Sequence, residues 1–204
     1  MFKIFEQEVM IYYMQKTESK LILYLLLNPA NIGKTYRIIS DEAGVSLGSV
    51  QSNIAILMEK GFVVESALGR LLRKRERLLD YWARGYAEDI KKKLFIGRFR
   101  FLTPSVKENW QEINLGSDAF WGGEPAAFLL DGYLKPERWD VYVEENADCL
   151  IKTRRMVSDP EGNIFVYKKF WNTEGVPPVV VYADLLSIDD DRCREAAMRI
   201  KEDL

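Results

Sequence analysis

The 204-residue chain has no histidine and only two cysteines, Cys149 and Cys193. Each shortage removes a chemistry. Without histidine there is no Ser-His-Asp or Cys-His catalysis, no two-histidine-one-carboxylate iron site and no HExxH zinc site. Two thiols cannot complete a structural zinc site of four ligands, and they read as reduced cysteines of a cytosolic protein. No metal and no cofactor is therefore expected. Long apolar runs are missing as well. The longest, Leu21 to Leu27, has seven residues, against the roughly 20 that a membrane span needs, so it reads as a buried helix. In the first sixteen residues Glu6 and Glu8 interrupt what would be the apolar core of a secretion signal, and no small-residue cleavage site follows. Export is not expected, and a cytoplasmic location is. There is also no internal repeat, no low-complexity tract and no linker rich in Gly, Ser or Pro.

What is present is ordinary in bulk and uneven in distribution. The chain is 48% hydrophobic and 29% charged with a formal net charge of −2. Residues 1 to 72 are neutral, residues 73 to 100 carry a net +6, and residues 101 to 204 a net −8. A basic middle and an acidic end suggest a nucleic-acid side and another side, although a run of charge can equally be a solvated face. All five tryptophans lie after residue 80, so the second half is a different kind of domain from the first.

The first 72 residues read as a winged helix-turn-helix. A cap at Thr17 to Lys20 precedes Leu21, Ile22, Leu25 and Leu26 at helical spacing, and Asn28-Pro29 stops that helix. In TYRIISDEAGVSLGSVQSNIAILMEKGFV, the apolar positions Ile38, Ile39, Ala43, Val45, Val50, Ile54, Leu57 and Met58 fit two short helices across a tight turn. Gly44 supplies the left-handed backbone at the turn, and Ser46 caps the second helix. That helix, about Ser46 to Lys60, would enter the major groove. Its outward side would show Ser46, Leu47, Ser49, Gln51, Ser52 and Asn53, since Gln and Asn pair bidentately with adenine and Ser donates to phosphates or bases. Lys60, Arg70 near the wing tip, Arg73 and Lys74 would add phosphate contacts. A plain helical bundle is the alternative. Residues 73 to 94 read as a basic connecting helix, with Leu71, Leu72, Leu78, Leu79, Trp82 and Tyr86 on its apolar face.

Residues 95 to 204 read as a mixed α/β domain. Strands are expected at Phe95 to Leu102, Asp140 to Glu145, Cys149 to Val157, Asn163 to Trp171 and Pro178 to Leu186. A short helix follows the Gly122-Gly123 pair, and an acidic-capped helix ends the chain. Asp159-Pro160-Glu161-Gly162-Asn163 should turn a hairpin between two of the strands. The fold class expected is thus α+β: a winged helix-turn-helix joined by a basic helix to a mixed α/β domain.

Two stretches, AFWGGEPAAFLLDGYLKPERWDVYV and PPVVVYADLLSIDDDRCREAAMRI, preceded by a winged helix, resemble the AbiEi-type antitoxins of type IV toxin–antitoxin systems. The likeness covers roughly residues 20 to 204. It implies an N-terminal winged helix that binds inverted repeats in its own promoter as double-stranded DNA and represses the operon. It also implies a C-terminal domain that counters a nucleotidyltransferase-like toxin. A homodimer is expected, because repressors of this type act on two half-sites. A second reading is a DNA-processing enzyme, with Glu124, Asp140 and Glu144 or Lys152 sketching a restriction-endonuclease-like Mg²⁺ site. That site would be degenerate, because CLIKTRR has no acid-x-Lys pair. Gly122, Gly123 and Glu124 read equally well as a helix entry, and Asp184 as a helix cap.

Overall fold

The computed structural model describes residues 13–204, so the reading of Glu6 and Glu8 lies outside the described residues. Helix α1 (Lys16–Leu27) begins before Thr17, on Gln15, and ends at Asn28, whose carboxamide caps a 3-10 turn over Pro29–Gly33. Helices α2 (Tyr36–Ala43) and α3 (Leu47–Glu59) follow. Thr35 caps α2 through Ile38 N, Gly44 closes it at φ 63°, and Ser46 accepts from Ser49 N to start α3. An antiparallel hairpin of β1 (Val63–Ser66) and β2 (Gly69–Leu72) comes next. Leu71 and Leu72 therefore belong to a strand and not to the connecting helix, and Ile38 is exposed.

Helix α4 (Arg75–Gly85), a π-helical turn (Tyr86–Ile90) and α5 (Lys91–Leu94) form the connection. They lead into a five-stranded sheet of β3 (Phe95–Phe101), β4 (Ala119–Gly122), β5 (Trp139–Val143), β6 (Met156–Ser158) and β7 (Ile164–Lys168), in the order β4-β5-β7-β3-β6. Only the β5–β7 pairing is parallel. Helices α6 (Pro104–Glu108), α7 (Gly123–Asp131), α8 (Asp148–Lys152), α9 (Pro178–Leu186) and α10 (Asp191–Glu202) fill the connections and the C-terminal part.

The pleat of the central strands separates two cores. Trp139, Val141, Val143, Ile164 and Val166 join Phe99, Phe101 and Trp110 on one face. Tyr142 and Tyr167 face the other way, into a cluster that runs from α1 and α3 through Trp82 and Tyr86 to α9 and α10. Alternate residues of one strand reach opposite faces, so β5 is buried along its whole length. No helix among the described residues is long and apolar enough to cross a membrane.

Three expectations are overturned. Pro178 to Leu186 is a helix. Its apolar run is buried on every side from Val179 to Leu185, and such a run has no period to distinguish strand from helix; Pro178 sits at the first helical position, where its missing N–H costs nothing. Cys149 to Val157 divides into α8 and β6 around Arg154, which adopts φ 54°. The Asp159 to Asn163 turn forms, with Gly162 N donating to Asp159 O at 2.9 Å, yet the strands on either side of it are not paired. β3 lies between them. The turn crosses the middle of β3, with Asp159 N bonded to Arg98 O at 3.0 Å. A Cβ at position 162 would stand 2.0 Å from the Phe99 carbonyl oxygen.

That approach makes a sharp test. Gly162→Ala should destabilise the protein by roughly 1–3 kcal/mol or more, because the obstacle is backbone that cannot rotate away. Gly48→Ala, in α3 with nothing within 4 Å, should be neutral or stabilising by up to about 1 kcal/mol. Urea unfolding of both variants checks the contrast, and equal midpoints would refute the crossing.

Candidate nucleic-acid interface and a buried ionic cluster

Helix α3 carries two different sides. Val50, Asn53, Ile54 and Leu57 are buried, at the i, i+3, i+4, i+7 spacing of an inward stripe. Asn53 is therefore corrected: it points into the protein, and its Nδ2 has no hydrogen-bond partner. Its place in that stripe was legible in the sequence. Ser46, Leu47, Gln51 and Ser52 are exposed and Ser49 is half-buried. Ser46 and Ser49 also share a hydroxyl–hydroxyl bond of 2.8 Å.

The expected cations scatter. Arg70 folds back on the 3-10 turn, donating to Ile32 O (3.1 Å) and Lys34 O (2.5 Å), with its guanidinium 4.3 Å from the Tyr36 ring centre. It stands one residue from the hairpin tip and braces the hairpin from inside. Lys60, at the far end of α3, leans over the Tyr81 ring. Arg73 and Lys74 are exposed after β2, and Lys74 holds φ 52° where α4 begins. Sequence reasoning passed over Arg37, an exposed cation in the first turn of α2. Its only signal was its position one helix ahead of the turn.

A second constellation lies where the connection meets the sheet. Lys91 Nζ, in the first turn of α5, is 2.7 Å from Asp140 Oδ2 and 2.8 Å from Asp184 Oδ1, and all three side chains are buried. Arg138 binds the other oxygen of Asp140 at 2.9 Å and donates to Tyr167 OH at 2.7 Å. Tyr142 and Tyr86 donate to Asp184 Oδ1 at 2.7 and 3.1 Å and touch each other through their hydroxyls. Gly123 N completes Asp184 at 3.1 Å. Gly122 and Gly123 allow this approach: a Cβ at either would meet the Tyr142 ring or Asp140.

Burial opposes the charge on Asp140, but Lys91 and Arg138 outweigh it and hold the carboxyl below the usual range. Burial pushes Asp184 up, since it shares one cation and stands near a second carboxylate. Lys91 loses solvation yet is raised above its ordinary value by the two carboxylates. Burial also pushes Tyr167 up to about 12.

The carboxylates considered for a nuclease-like site are thus engaged elsewhere. Asp140 is neutralised by Lys91 and Arg138. Glu124 accepts from Glu137 N at 2.8 Å, Glu144 pairs with Lys169, and Lys152 is exposed on α8. Among the described residues no group of three or more Cys, Asp or Glu could hold a metal. Asp184, expected as a cap, is instead the buried hub inside α9.

A helical module with a hairpin, fused to a mixed sheet around a buried ionic cluster, makes this an α+β protein. Residues 70–204 match the family described as transcriptional regulator, AbiEi antitoxin, type IV toxin–antitoxin system, and the chain belongs to that family. The match begins at Arg70, so it spans the sheet and the ionic cluster and leaves α1 to β1 outside. No curated protein and no solved structure matches the chain.

Lys91→Met should cost roughly 3–5 kcal/mol in chemical unfolding, because two buried carboxylates lose their shared cation. Asp140 ionises more readily folded than unfolded. Its contribution is present above the unfolded pKa of about 3.9 and is lost as pH falls through the lower folded value. Asp140→Asn should therefore lower stability at pH 7 and flatten the acid limb below about pH 4. A limb as steep as that of the parent protein would contradict the pairing.

Burial, aided by Glu124 and Asp190, pushes the Cys193 thiol up to about 12, whereas Cys149 is half-buried. A thiol reagent at pH 8 should label one cysteine in the native protein and the second only in denaturant. Rapid labelling of both would disprove the buried position of Cys193.

Proposed function

We propose that the protein is a sequence-specific DNA-binding transcriptional regulator, an autorepressing antitoxin that binds inverted repeats in its own promoter. Residues 1 to 72 would be the winged helix-turn-helix module, 73 to 94 the connecting helix and 95 to 204 the antitoxin-like domain. The single observation carrying the DNA reading is α2 and α3 joined at left-handed Gly44, with the capped start of α3 open to solvent. Ser46, Ser49, Gln51 and Ser52 are the proposed groove contacts, and Arg37, Lys60, Arg73 and Lys74 the phosphate contacts. Burial takes Asn53 out of that set, and its backbone bonds take Arg70 out. Membership of a type IV antitoxin family supports a toxin partner, with a nucleotidyltransferase-like protein as the proposed one. The protein would be cytoplasmic and would act as a dimer on half-sites about one helical turn apart.

The test is fluorescence anisotropy on the DNA upstream of the gene against a scrambled duplex, at two salt concentrations with Mg²⁺ present. Tight binding to the upstream DNA alone is expected. Gln51→Ala should cost about 1–3 kcal/mol on that DNA only, whereas Arg73→Ala should weaken both duplexes alike and flatten the salt slope by about 1. Equal affinity for the two duplexes, or a cut product, would defeat the proposal.

A further inference from the structure

Beside the ionic cluster the sheet is left partly uncovered. A cleft of about 350 Å³ opens there, between the π-helical turn and α5 on one side and β3 and β7 on the other. This is within the roughly 300–1,000 Å³ of small-molecule sites. Its lining is three cations, Lys91, Lys92 and Arg138, three aromatics, Phe95, Phe165 and Tyr167, with Ala87 and Ser187; no carboxylate lines it. Asp140 and Asp184 lie behind Lys91 and orient it without facing the cleft.

The local backbone explains this composition. β3 pairs with β7 as Phe95↔Tyr167 and Arg98↔Phe165, with a register shift between Phe95 and Gly97. The irregularity brings Phe95 and Arg98, three residues apart, onto the same face as Tyr167 and Phe165. Arg138 and Arg98 then lie against the Phe165 ring, at 3.8 and 4.7 Å from its centre. Phe95 packs edge-on against Tyr167 and remains 45% exposed. Lys92 is exposed and has no carboxylate partner among the described residues. A single turn of π-helix, the kind of irregularity often found at functional sites, forms the rim.

We propose that this cleft binds a small anion that carries one flat ring and one phosphate or carboxylate, with nucleoside monophosphates as the class that fits best. The ring lies on Phe95, and the anionic group is held by Lys92, with the N–H groups of Arg138 that Asp140 and Tyr167 leave free beside it. Lys92 is the lining cation without a carboxylate partner among the described residues and Phe95 the exposed aromatic face, so the two halves of a mononucleotide are matched separately. This site is independent of the DNA-binding reading, because its test contains no DNA duplex.

Isothermal titration calorimetry of the full chain with AMP, GMP, CMP and UMP, with inorganic phosphate and with salicylate, tests the inference. Saturable one-to-one binding of at least one nucleotide is expected, at least tenfold tighter than inorganic phosphate. Phe95→Ala and Lys92→Ala remove exposed side chains, so both should fold normally by circular dichroism, and each should weaken the nucleotide at least fivefold. Tighter binding of salicylate than of any nucleotide would keep the ring-bearing anion and reassign its charge to a carboxylate. Absence of saturable heat with all probes would overturn the site. So would unchanged affinity in both variants, or a clear preference for a single-stranded oligonucleotide over every mononucleotide, which would make this face a nucleic-acid surface.

Discussion

Lys91 is a cation shared by two buried carboxylates that come from different elements, Asp140 of β5 and Asp184 of α9. Neither carboxylate could stay charged in that interior alone, because desolvating an unpaired carboxylate costs several kcal/mol. The ammonium therefore ties α5 to both β5 and α9, while Gly122 and Gly123 lack side chains because the Tyr142 ring and Asp140 stand where a Cβ would be. Tyr86 brings the connecting segment into the same network through Asp184.

That network also explains why the front and back of the chain do not pack as separate bodies. The cluster containing Leu21, Leu25 and Ile54 is continuous with Trp82, Tyr142, Val180 and Ala197. Trp82 donates to Ser19 O at 2.9 Å, and Arg75 reaches Leu26 O at 2.9 Å as well as the carbonyl of Leu204. The sheet region and α1 thus share one packed core.

The basic middle, read as one surface, separates into distinct tasks. Lys91 is buried, Arg75 and Arg98 are spent on backbone carbonyls, and Arg100 pairs with Asp159. Arg73, Lys74, Arg77, Arg84, Lys92 and Lys93 remain exposed. Charge along the chain overstates the positive field because part of it is neutralised by partners distant in sequence.

Local signals were legible wherever one residue type answers one backbone need. Gly44 at the turn, Ser46 at the cap, the period of α3 and the Gly-Gly entry to α7 all follow from sterics and hydrogen bonding within a few residues. The WGGEPAA and YADLL blocks carried the family. Asn53 has the side chain of a base reader, but it stands on the buried stripe with Val50, Ile54 and Leu57, and there periodicity rather than residue type decides its place. The insertion of β3 between β6 and β7, the helical state of Val179 to Leu185 and the pairing of Lys91 with Asp140 and Asp184 were decided only by tertiary structure. Each depends on contacts between residues tens of positions apart, where burial on all sides erases the periodicity and desolvation selects the partners.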